Sequence, residues 1–72
     1  MREIDRAIEL LQPLLNGLAE GRNEAVEIYT EKYHDEDFII VTIDNAKYEI
    51  NVTAENVRSI VQSVVNRVAL KL

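Results

Sequence analysis

The sequence predicts a small α+β domain, two layers in the order αβββα, with an antiparallel three-stranded meander carrying both helices on one face. Three observations point there. Apolar residues recur at helical spacing over roughly the first twenty residues, switch to a period of two from about residue 24, and return to helical spacing after Thr53. Polar, turn-forming clusters separate the middle segments, at His34-Asp35-Glu36-Asp37 and at Asp44-Asn45. At 72 residues the chain has room for one core and hence one domain, spanning residues 1–72, without repeats, low-complexity runs or linkers.

Ile4, Ala7, Ile8, Leu11, Leu15 and Leu18 form the apolar stripe of the first helix, with Arg2, Glu3, Asp5, Arg6 and Glu9 on its remaining surface. Pro13 has no N–H to give the carbonyl of Glu9, so the helix is expected to kink, or to end near Leu11 and restart, with a bend at Gln12. Gly17 and Gly21, with Asn16 and Asn23, mark its weakening and its end. From Glu24 to Tyr33 the first strand sets Val26, Ile28 and Thr30 on one face and Glu27, Tyr29, Glu31 and Tyr33 on the other. The acidic tetrad at residues 34–37 reads as the following turn.

The second strand, Asp37 to Asp44, is apolar on both faces. The third, Lys47 to Thr53, alternates cleanly, with Tyr48, Ile50 and Val52 inward against Lys47, Glu49 and Asn51 outward. In the closing helix Thr53 is the expected N-cap and Glu55 suits the positive end of the dipole. Val57, Ile60, Val61, Val64, Val65, Val68 and Leu72 make its stripe, with Arg67 and Lys71 near its end. Valine is a mediocre helix former, so burial against the sheet has to hold this helix.

If Asp44-Asn45 is a two-residue loop, Ile43 pairs with Ala46 and Val41 with Tyr48, and Ile39, Val41 and Ile43 face the helices. Phe38, Ile40 and Thr42 then point the other way; a three-residue loop would exchange the two sets, and in either register two helices sharing one side cannot cover both. The outer face is therefore expected to be an interface for a second copy or another protein, unless long neighbours such as Lys32, Lys47 and Glu49 lie over Phe38 and Ile40. Tyr29 and Tyr33, interleaved with Glu27 and Glu31, add large contact area with polar tips. With Asp35, Glu36 and Asp37 they make Phe38, Ile40, Tyr29, Tyr33, Glu27, Glu31, Asp35, Glu36 and Asp37 the candidate partner-binding set.

A formal net charge of −5 has the wrong sign for nucleic-acid phosphates or anionic lipid, so direct nucleic-acid binding is not expected and a basic protein partner is. The absence of cysteine removes disulfides and thiolate metal sites and suits a reducing, cytoplasmic setting. No basic leader and no apolar run of about eighteen residues suggests export or a membrane span. Catalytic groups are sparse: His34 beside Asp35 could act as a base, but no serine lies near it in sequence and a turn histidine is ordinarily just solvated. Asp35, Glu36 and Asp37 lack the spacing and the glycine of a calcium loop, and Gly17 and Gly21 follow a helix where a phosphate loop would precede one. No enzyme activity, cofactor or metal is expected.

The order helix, three-stranded meander, helix resembles the double-stranded-RNA-binding domain over nearly the whole chain. That family grips RNA phosphates with lysines at the start of its last helix, where Thr53-Ala54-Glu55-Asn56-Val57-Arg58 offers one arginine beside one glutamate. The resemblance thus implies the fold without the RNA contact. In size, charge and make-up the chain is also similar to small acidic proteins of bacterial viruses that inhibit host or defence proteins, including some inhibitors of CRISPR nucleases. The expected function is a non-enzymatic interaction module, homodimeric or a small inhibitor. The alternatives are a self-assembling accessory subunit of a larger, phage-type complex, and a nucleic-acid mimic.

Overall fold

The computed structural model describes residues 2–22 and 25–68. The expected contributions of Asn23 and Glu24 to the first helix end and first strand, and of Lys71 and Leu72 to the last helix, fall outside those residues. The elements are α1 (Glu3–Arg22), β1 (Val26–Tyr33), β2 (Glu36–Ile43), β3 (Ala46–Asn51) and α2 (Val57–Val68). The strands form one antiparallel meander in the order β1-β2-β3.

Register follows the two-residue loop: Ile43 pairs with Ala46, Val41 with Tyr48 and Ile39 with Ile50. On the other side of β2, Val26 pairs with Ile43 and Ile28 with Val41. One core gathers Ile4, Ala7, Leu11 and Leu15 of α1, Ile60, Val64 and Val68 of α2, and Ile28, Ile39, Val41, Ile43, Ile50 and Val52. Its members from β2 are alternate residues, so both helices pack on one face of the sheet. Full burial of each large aliphatic chain contributes about 1.5–3 kcal/mol, and this is what holds the valine-rich α2 in place. Among the described residues no helix is long and apolar enough to cross a membrane.

Four local features differ from the expectations. The first helix runs unbroken through Gln12 and Pro13. Glu9 and Pro13 are both exposed while Leu11 and Leu15 are buried. Water can therefore take the place of the missing N–H on the outer side, and the core side keeps the chain helical. The stripe also turns at its end, where Ala19 is buried and Leu18 is not.

The first turn is shorter than the acidic tetrad. His34 and Asp35 alone make it, with φ of 51° and 64°, the paired positive values of a primed hairpin turn, and Glu36 and Asp37 belong to β2. The second turn is fastened at Asp44, whose Oδ1 accepts a bond of 3.0 Å from the N–H of Ala25. The N–H of Asp44 in turn donates to the Ala25 carbonyl at 2.8 Å, which ties the turn to the start of β1.

The N-cap of α2 is Asn56, not Thr53. The Asn56 Oδ1 accepts from the Ser59 N–H at 2.9 Å, and its carbonyl accepts from the Ile60 N–H at 2.9 Å. Thr53 is committed elsewhere: its Oγ1 accepts from the Asp37 N–H at 2.9 Å and donates to Asn51 Oδ1 at 2.7 Å. The chain then turns through Thr53-Ala54, closed by a 3.1 Å bond from the Glu55 N–H to the Val52 carbonyl, with Ala54 at a φ of 60°. A positive φ at the third position of such a turn favours glycine, so Ala54 carries local strain.

Candidate protein-interaction surfaces

The outer sheet face is laid out in cross-strand rows by the register. Glu27, Thr42 and Lys47 form one row, Tyr29, Ile40 and Glu49 the next, and Glu31, Phe38 and Asn51 the third; Tyr33 opposite Glu36 ends the series. Seven of the nine expected partner-binding residues, Phe38, Ile40, Tyr29, Tyr33, Glu27, Glu31 and Glu36, thus share one face. Tyr29 and Tyr33 are 43% and 63% exposed. The Tyr33 ring meets His34 edge-on, with centroids 4.2 Å apart.

Sharing the face does not make each of the seven accessible. Ile40 points to the outer face as expected, yet it is only 1% exposed and lies outside the main core cluster. Tyr29 and Glu49 stand directly across from it, and Phe38 and Thr42 flank it along the strand. The stems of Glu31 and Lys47 complete the surround of a shallow cavity of about 240 Å³ that Ile40, Phe38 and Tyr33 also line. Lys47 and Glu49, whose Nζ and Oε1 are 3.7 Å apart, line it as well. Long amphipathic side chains therefore cover a central apolar residue without help from another layer. Ile40 is the floor of this surface, not one of its contact residues, and Phe38 is half-buried beside it.

Asp37 leaves the set altogether. Its Oδ1 accepts a 2.8 Å charge-assisted bond from the Arg2 guanidinium, pinning the start of α1 to the end of the sheet. The hydrogen bond to Asp37 and then the charge of that carboxylate push the Arg2 pKa above its ordinary value. With Thr53, Asn51 and Glu36, whose Oε2 accepts from Asn51 Nδ2 at 3.3 Å, the pair belongs to a polar clasp at that end of the fold. Asp35 sits in the β1–β2 turn, beyond the rows.

Sequence reasoning missed a second surface, on the helical layer. Leu10 and Leu14 are each 48% exposed and Leu18 is 43% exposed, and their spacing of four lines them up as a ridge along α1. Leu10 also borders an open groove of about 680 Å³ whose other walls are Val57, Arg58, Val61, Gln62 and Val65 of α2. The signal was legible: with Leu11 and Leu15 in the core, Leu10, Leu14 and Leu18 stand about 100° round the helix from the residues that follow each of them.

Among the described residues no group of three or more histidine or carboxylate side chains is gathered as a metal site, and no buried side-chain polar atom lacks a partner. In comparison with known proteins, no family model matches the chain, and neither a curated protein nor a solved structure matches it.

Proposed function

We propose that the chain is a non-enzymatic protein-interaction module that presents its outer sheet face to a basic partner protein in a cytoplasmic setting. The observation that carries this reading is the pairing of two exposed tyrosines with carboxylates on one rigid face. Tyr29 and Tyr33 stand among Glu27, Glu31, Glu36 and Glu49, with Lys47 the single cation in the rows. Tyrosine contributes contact area with little conformational entropy to lose, and the carboxylates supply steering and register toward a cationic surface. The same charges oppose a face-to-face pairing of two copies through this sheet, since each acidic row would meet another. A basic groove that otherwise takes nucleic acid is one form such a partner could have.

A second reading, an accessory subunit of a larger assembly, is favoured by the leucine ridge on the opposite layer, because two docking surfaces back to back let one chain bridge two neighbours.

The test is a titration of isotope-labelled protein with a decalysine peptide, followed by amide resonances. At low salt the shifts should cluster at residues 27–33 and 47–49, fade as ionic strength approaches roughly 0.5 M, and weaken sharply in a Glu27→Lys, Glu31→Lys double variant. Equal shifts along the acidic positions of α1, or indifference to the double variant, would show non-specific charge attraction and discard the reading.

A further inference from the structure

The geometry points to the helical layer as a self-association surface, on which a second copy of this chain lays its leucine ridge into the α1–α2 groove while offering its own groove in return. This goes beyond the basic-partner reading and does not depend on it, since the two use opposite layers of the molecule.

Self-complementarity is the first argument. A two-fold interface needs a patch that carries both a projection and a matching recess, because each residue pair occurs twice. Leu14 and Leu18 continue the ridge from Leu10, and Leu10 is also a wall of the groove floored by Val57, Val61 and Val65. Ridge and recess are thus adjacent, and rows of residues four apart are what helices interdigitate when they pack.

The glycines supply the second. Gly17 and Gly21 lie inside α1, where glycine is a poor helix former. Neither position demands it: a Cβ on Gly17 or on Gly21 would meet nothing within 4 Å. Gly17 is three residues from Leu14 and four from Gly21, and Gly21 is three from Leu18, so both glycines border the ridge. Open space over two helical glycines beside exposed leucines is what close approach of another chain's helix requires.

Charge selects the occupant. Among the described side chains α1 carries Glu3, Asp5, Glu9 and Glu20 against Arg6, whereas α2 carries Arg58 and Arg67 and no acid. A two-fold that sets α1 over the partner's α2 brings the acidic helix against the basic one twice. The outer sheet face has no such complementarity with itself.

The experiment is sedimentation equilibrium of the full chain from about 1 μM to 1 mM, with the same series for Leu14→Lys, Gly17→Leu and Glu31→Lys. The expected result is a rise from one chain mass to two, a dissociation constant weakened at least tenfold by Leu14→Lys and by Gly17→Leu, and no weakening from Glu31→Lys. Gly17→Leu guards against a folding artefact, because leucine is the better helix former and its Cβ meets nothing within 4 Å in the single chain, so its dilute-state melting temperature should hold or rise. One chain mass at every concentration overturns the proposal. So does a dimer that Glu31→Lys dissociates and Leu14→Lys leaves intact, which would move the self-interface to the sheet. A single chain mass would leave the decalysine titration untouched, whereas a dimer through the sheet would also count against the charge argument made for the outer face.

Discussion

Ile40 and Leu14 make an instructive pair. Ile40 sits on a sheet face with no helix above it and is 1% exposed, while Leu14 sits on a helix that packs against that sheet and is 48% exposed. Having a second layer on one side does not decide which apolar residues are covered. In the middle strand of a meander, each outward side chain has neighbours on both flanks, close enough across strands for Tyr29 and Glu49 to close over Ile40. On a helix, a side chain some 100° from the core stripe has only its own turn for cover, and Leu14 stands there between exposed Pro13 and buried Leu15.

The sharpest way to break that comparison is at Ile40. Ile40→Ala should lower stability by about 2–3 kcal/mol, toward the low end of core truncations because the covering side chains are flexible and can settle into the space. Urea melts in dilute protein would measure it, and a loss under about 0.5 kcal/mol would mean that the lid over Ile40 is not a persistent feature. Ile40→Lys should cost at least as much, since the longer chain has to displace its cover before the ammonium reaches water or the carboxylates of Glu31 and Glu49.

The groove beside Leu10 depends on α2 beginning where it does. Asn56→Ala removes the side-chain acceptor for the Ser59 N–H and should cost about 1 kcal/mol, with amide exchange quickening first at residues 57–60. If exchange there is unchanged, the first turn of α2 is held by packing alone. Ala54→Gly works in the opposite direction: at a φ of 60° glycine relieves the strain of a side chain, and a gain of about 0.5–1 kcal/mol is expected in the same melts. A loss would mean that the added freedom of the unfolded chain outweighs the strain.

What the sequence disclosed, and what it hid, follows the range of the interactions involved. Period and register are local properties. They carried the αβββα order and offered Asp44-Asn45 as a two-residue loop, and the structure chose the pairing of Ile43 with Ala46 over the slipped register. Choices among competing hydrogen-bond partners are not local. Thr53 reads as an N-cap until Asp37, 16 positions earlier, donates to its hydroxyl, which in turn donates to Asn51, and Asn56 is left to cap α2. Asp37 reads as part of an exposed acidic turn until Arg2, 35 positions earlier, is seen bonded to it. Pro13 reads as a breaker because propensity ignores Leu11 and Leu15, which hold the helix from its buried side. The Phe38–Ile40 face could be located by alternation alone, but its cover depends on how side chains on three strands lean together.

The smallest effect expected on the fold concerns the other member of the pair. Leu14→Ala, measured at concentrations where the chain is a single copy, should change stability by less than about 0.5 kcal/mol, because the truncated atoms already face water and alanine is the better helix former. The same substitution measured at high concentration should lower the melting temperature if the ridge is buried against a second copy, since mass action then adds the association energy to the folded state. The two regimes together separate roles that a single melt would mix. A cost of about 2 kcal/mol or more in dilute solution would show Leu14 packed within its own chain, erasing the contrast with Ile40. A small dilute effect that grows with concentration keeps the contrast, with the sheet face closed by its own side chains and the helical face closed by a neighbour.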